Sequence, residues 1–180
     1  MPDTTLTEET GRSVVLIRAA PDGRLAAALG AFAGRAGQDG QGRLIVRPGP
    51  GEWLLIGGDG PAGDTVAEAE ARAAGEFATA VDLTHAVTRL RLTGSDVAAV
   101  LSRLCALDPA MIINAGRPNG AMSIHDHGVV EGDAAAARTL VAGVITTVIR
   151  DDVDGVPSYV LQCDRSYGRY LAAAITDTIT

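Results

Sequence analysis

Lysine is absent from this chain. All 15 basic residues are arginine, set against 22 acidic ones, and the formal net charge is −7 over 180 residues. Without lysine there is no Schiff-base nucleophile, which excludes pyridoxal phosphate chemistry. The phosphate-loop lysine is missing too, and no G-x-x-x-x-G-K-[ST] string occurs. Aromatic residues make up only 3%, too few for a base-stacking platform on single-stranded nucleic acid. The net charge also has the wrong sign for a polyanion-binding surface. Cysteine is limited to Cys105 and Cys163, far apart and without C-x-x-C, the usage expected of two buried thiols in a reducing compartment. No apolar run reaches the length of a membrane span. Residues 1–12 are polar and acidic and lack the basic and apolar regions of a signal peptide. Together these absences predict a cytoplasmic protein that binds neither nucleic acid nor membrane.

What remains is an aliphatic globular chain, 47% hydrophobic and 21% charged, of a length that suits one domain. The reading is a flexible N-terminal segment over 1–12 and a single domain over 13–180. A β-branched run at 13–18 predicts a first strand. Leu25, Ala28, Leu29 and Phe32 recur at helical spacing within 24–35, and a glycine-rich loop follows over 34–42. Residues 43–47 and 52–56 read as two strands joined by the Pro48–Gly51 turn. A helix to about Ala74 is expected, with Asp64 or Thr65 as its cap.

Residues 77–84 and 86–92 read as strands. In the second, Ala86, Thr88, Leu90 and Leu92 share one face, and Val87, Arg89 and Arg91 share a face expected to be wet. Val97, Val100, Leu101 and Leu104 mark a helix over 96–106, stopped by Pro109. Residues 133–140, with four alanines behind Asp133, predict a short helix. A strand over 143–150, an Asp-Gly turn at 151–155 and a return strand over 156–163 complete a hairpin. Ser166 is the expected cap of the last helix. Strand pairs followed by helices predict an α+β domain: a mixed, mostly antiparallel sheet with helices packed on one side.

Three ordered segments carry a family resemblance. They are Pro48-Gly-Pro-Gly-Glu-Trp-Leu-Leu-Ile56; residues 81–94 followed by 100–108; and Arg138-Thr-Leu-Val-Ala-Gly-Val144 followed by Asp164-Arg-Ser-Tyr-Gly-Arg-Tyr-Leu171. In this order the chain resembles the gamma subunit family of heterotetrameric sarcosine oxidases, itself similar to the folate-binding domain of the glycine cleavage T-protein. Residues 111–132 are extended relative to that family. The resemblance implies a non-catalytic accessory subunit that stabilises a complex with larger flavoprotein subunits demethylating an N-methyl amine such as sarcosine. It implies no cofactor in this chain, and partner subunits that carry FAD, FMN, NAD and tetrahydrofolate. It transfers no catalytic residue to this sequence. The alternative is a stand-alone folate-binding or one-carbon-transfer protein of the T-protein type, with Arg89, Arg91 and Arg150 available for a folate glutamate tail.

Four groups of residues carry possible chemistry. His125-Asp-His127 is a weak metal candidate; on an extended strand both imidazoles point one way, and further ligands are needed. His85 lies three residues after Asp82, but no nucleophile motif accompanies it. Gly58, Gly60 and Gly63 spell G-x-G-x-x-G between a strand and a helix, although Pro61 removes one N–H from that cradle. Arg165, Tyr167, Arg169 and Tyr170 cluster at the start of the last helix and are residue types favoured at interfaces. Trp53 is either core or a further anchor of that partner contact.

Overall fold

The structure, a computed structural model, describes residues 3–29, 35–58, 60–106 and 130–179, with backbone alone at 35, 37, 38 and 130–135. Its first elements are β1 (Thr4–Glu8), β2 (Val14–Ala19), α1 (Arg24–Leu29), β3 (Arg35–Gln38), β4 (Leu44–Gly49) and β5 (Glu52–Ile56). Next come α2 (Ala62–Arg72), β6 (Ala78–Asp82), β7 (Val87–Gly94) and α3 (Val97–Leu104). The C-terminal part holds β8 (Val130–Val141), β9 (Val144–Arg150), β10 (Ser158–Asp164), a 3₁₀ turn (Arg165–Tyr167) and α4 (Gly168–Ile179). Where the sequence reading has one domain over 13–180, the chain divides into two compact units. Among the described residues one takes 3–10, 85–106 and 133–179, and the other takes 11–84 and 130–132.

The first unit is an antiparallel sheet in the order β1-β7-β10-β9-β8. Alternation along the strands sends Leu90 and Leu92 of β7, and Tyr159, Leu161 and Cys163 of β10, to one face. There they pack with Val97, Val100 and Leu101 of α3 and with Leu171 and Ile175 of α4. Full burial of each large aliphatic side chain contributes roughly 1.5–3 kcal/mol, and this stripe is what fixes both helices to the sheet. The segment expected to be flexible contains β1, which pairs with β7 from Thr4 opposite Gly94 to Glu8 opposite Leu90.

Residues 133–140 are not helical. They belong to β8, whose Ala136 to Val141 pair with β9. Alanine's helix preference is only a fraction of a kcal/mol per residue, and a full ladder of cross-strand bonds outweighs it. The hairpin turn places both Ala142 (φ 48) and Gly143 (φ 80) in the left-handed region. Two helices hold the alanine there: its N–H donates to Leu104 O at 2.8 Å, and its carbonyl accepts from Tyr170 Oη at 3.1 Å. The Asp-Gly turn between β9 and β10 forms as expected, with Asp154 (φ 52) and Gly155 (φ 79) at its tip. The final helix is capped differently from the sequence reading. Asp164, not Ser166, caps the 3₁₀ turn that leads into it, and its Oδ1 accepts from the Ser166 N–H at 2.8 Å.

The second unit is an antiparallel sheet in the order β3-β4-β5-β2-β6. Val15, Ile17, Trp53, Leu55 and Ile45 form one core with Leu25 and Leu29 of α1 and Ala62 and Ala69 of α2. The helix expected over 24–35 is shorter, because the chain is already in β3 from Arg35. Neither Asp64 nor Thr65 caps α2. Pro61 takes that position with φ −73, and the helix starts one turn's length earlier than Asp64 would allow. Asp64 lies in the first turn instead, where a carboxylate favours the positive end of the helix dipole.

Candidate functional site

The arginines and tyrosines offered by sequence as a partner interface are exposed. Arg165 and Tyr167 lie in the 3₁₀ turn and Arg169 and Tyr170 in the first turn of α4, all on the surface. Gly168 between them is buried against Thr88, whose side chain leaves no room for a Cβ there. Tyr167 keeps 54% and Tyr170 58% of its surface exposed, although the Tyr170 hydroxyl is engaged by the hairpin at Ala142. The hairpin carries two further exposed apolar side chains, the cross-strand partners Leu140 (55%) and Ile145 (67%). Arg165 donates to the carbonyl of His85 at 3.1 Å.

Trp53, grouped with this cluster in the sequence reading, is fully buried. It is a core residue of the second unit, with the Arg47 guanidinium 4.7 Å above its ring. A hairpin strand whose odd positions face two helices leaves that ring no route to the surface.

The face of β7 expected to be wet is a buried ion network. Arg91 donates Nε to Glu9 Oε1 at 2.5 Å and Nη2 to Asp151 Oδ2 at 2.5 Å. Its Nη1 reaches Ser158 Oγ at 3.0 Å and the Asp151 carbonyl at 2.9 Å. Arg89, 3% exposed, pairs with Glu9 Oε2 at 2.8 Å. Arg150 is clamped by Asp152 through bonds of 3.0 and 2.7 Å. The arginines offered by sequence for a folate tail thus hold internal carboxylates. Glu9 is the member that sequence reasoning missed. Its signal was present in the β-branched threonines at 4, 5 and 7, which favour a strand just before it.

A second such network surrounds Arg43. It donates to Asp39 at 2.6 Å and to Glu68 at 2.6 Å, and Arg72 also pairs with Glu68. The Arg43 hydrogen bond holds the Glu68 carboxyl below the usual glutamate range, against the opposing effect of burial. Beside it lies a cavity of about 10 Å³ lined by Leu25, Arg43, Thr65, Glu68 and Arg72, room for a single water molecule.

The remaining candidates gather no chemistry. Gly58 (φ 103) leaves room for the Arg43 side chain, into which a Cβ would run. Its strand, β5, is antiparallel to both neighbours, so no parallel βαβ cradle forms. His85 is exposed, and the Asp82 carboxylate accepts from the Thr84 N–H at 2.8 Å, closing a local turn. His125 and His127 lie outside the described residues. Among the described residues no group of three or more His, Cys, Asp or Glu side chains could hold a metal, and no helix is long and apolar enough to cross a membrane.

Two antiparallel sheets with helices of this connectivity define an α+β fold of the T-protein-like kind, as the sequence predicted. A chain of the heterotetrameric sarcosine oxidase from Corynebacterium sp. U-96, in complex with pyrrole 2-carboxylate, shares it. The TM-score is 0.72 at 21% identity, over 98% of this chain and 83% of that one. The glycine cleavage system aminomethyltransferase T from Bartonella henselae gives 0.62 at 16% identity, over 97% of this chain and 45% of its own length. This chain therefore spans less than half of that aminomethyltransferase. No family model and no curated protein matches the sequence. At these identities the likeness is one of fold.

Proposed function

We propose that this chain is a non-catalytic accessory subunit of a sarcosine (N-methyl amine) oxidase-type flavoenzyme, whose role is to stabilise the assembly. The observation that carries the proposal is the likeness of fold across 98% of the chain to one polypeptide of a heterotetrameric oxidase. Charge placement supports it. The sheet arginines that an anionic substrate or a folate tail would need are neutralised by Glu9, Asp151 and Asp152. FAD, FMN, NAD and tetrahydrofolate belong, on this reading, to the partner subunits.

The test is purification from the native host through an affinity tag on this chain, with the partners identified by mass spectrometry. The expected result is a flavin-containing complex that oxidises sarcosine or another N-methyl amine, while the isolated chain does not. An isolated chain that turns over such an amine, or that binds tetrahydrofolate by calorimetry, would refute the proposal and favour a T-protein-type binding protein.

A further inference from the structure

Arginines in this protein are habitually matched to carboxylates. Arg18 pairs with Glu52, Arg24 with Glu76, Arg43 with Asp39 and Glu68, Arg91 with Glu9 and Asp151, and Arg150 with Asp152. The chain has the acids to do this, 22 against 15 arginines. Among the described residues Arg12 and Arg103 also lack a carboxylate, Arg103 reaching only the Thr178 carbonyl, but at the start of α4 two such arginines lie four residues apart. Among the described residues Arg169 has no ion-pair or hydrogen-bond partner, and Arg165 has only the His85 carbonyl. The adjacent carboxylate, Asp164, is used in capping the turn: its Oδ1 accepts from both the N–H and the Oγ of Ser166.

The setting of these two guanidinium groups is equally specific. Tyr167 and Tyr170, their neighbours in sequence, are exposed. The Tyr170 hydroxyl bond to Ala142 fixes that ring against the hairpin that presents Leu140 and Ile145. Tyrosine rings lose little conformational freedom on association, and tyrosine and arginine are both enriched at interface hot spots. An arginine fork also takes a carboxylate through two parallel bonds, with a geometry lysine cannot copy.

We infer that the surface formed by Arg165, Tyr167, Arg169 and Tyr170 docks an acidic segment of a partner polypeptide, whose aspartate or glutamate side chains neutralise the two arginines while its apolar side chains cover the tyrosine rings. The inference rests on the accessory-subunit reading and adds the chemistry of the contact. A partner protein is favoured over nucleic acid because two arginines are far fewer cations than a nucleic-acid footprint uses, and the exposed tyrosines add apolar surface.

The experiment uses the tagged full-length chain in its native host, with a photo-crosslinking amino acid at position 167 and, as a control, at Phe77, an exposed residue of the other unit. Crosslinks from position 167 to a partner segment rich in Asp and Glu are expected, and none to that segment from position 77. In parallel, Arg165→Glu with Arg169→Glu is expected to lower the retained partner roughly tenfold, and Arg165→Lys with Arg169→Lys to lower it far less. Both pairs lie on the surface, and unchanged thermal melting establishes that the variants fold. A partner that remains bound to the Glu variant, a crosslinked segment without acidic residues, or capture abolished by nuclease overturns this inference and leaves the accessory role standing. A wild-type chain that retains no flavoprotein partner overturns both.

Discussion

Arg91 donates its Nε hydrogen to Glu9 at 2.5 Å, joining positions 82 residues apart. The bond ties the segment after β1 to the strand that β1 pairs with. Because Arg91 is 13% and Glu9 14% exposed at the side chain, loss of one partner strands a desolvated charge. Arg91→Met is expected to destabilise the protein by about 3 kcal/mol. Adding Glu9→Gln to that variant should not restore stability, because buried Arg89 then loses its carboxylate as well. A urea-unfolding double-mutant cycle reads both effects.

The close approach of β1 to β7 also depends on Gly94. Its φ of +144 disfavours any side chain, and a Cβ would overlap the Asp3 carbonyl. Gly94→Ala is expected to cost more than about 2 kcal/mol and to detach β1. Hydrogen exchange should show the β1 amides losing protection before those of β9.

Ala142 is held at φ 48 by its bonds to Leu104 and Tyr170. A left-handed alanine costs about 1–2 kcal/mol, and glycine avoids that cost while losing more chain entropy. The balance predicts that Ala142→Gly raises stability by about 0.5 kcal/mol. The measurement is the thermal midpoint of the two proteins side by side.

Acid should weaken the second unit through Glu68. Its folded carboxyl titrates below the ordinary value of 4.5, first because Arg43 donates to it. A depressed carboxyl contributes stability above the unfolded pKa, and that contribution disappears as pH falls through the folded pKa. Stability should therefore be flat with respect to this group above about pH 5 and fall below about pH 4.5. In Glu68→Gln that part of the acid dependence should vanish, seen as a shallower decline in unfolding free energy across the same window.

Cys163 is 3% exposed and Cys105 9% exposed. Burial pushes the Cys163 thiol above its usual range, and the neighbouring Asp164 adds to the effect. Both thiols are expected to resist an aromatic disulfide reagent in the folded protein and to react stoichiometrically once it is unfolded. Fast native-state labelling of either would contradict this placement.

The amino-acid sequence by itself determined the α+β class, the two central hairpins, the helices at α2, α3 and α4 and the exposure of Arg165, Tyr167, Arg169 and Tyr170. Each follows from local rules: apolar spacing along the chain, turn residues such as Asp154-Gly155, and polar and aromatic residue types crowded at a helix start. Tertiary structure alone decided the rest. Long-range pairing made a strand of the alanine run in β8, gave order to Thr4–Glu8, and turned Arg89 and Arg91 from a wet face into a buried network with Glu9 and Asp151. A cross-strand ladder and a desolvated ion pair depend on residues brought together from distant positions, and no local pattern records which partner will arrive.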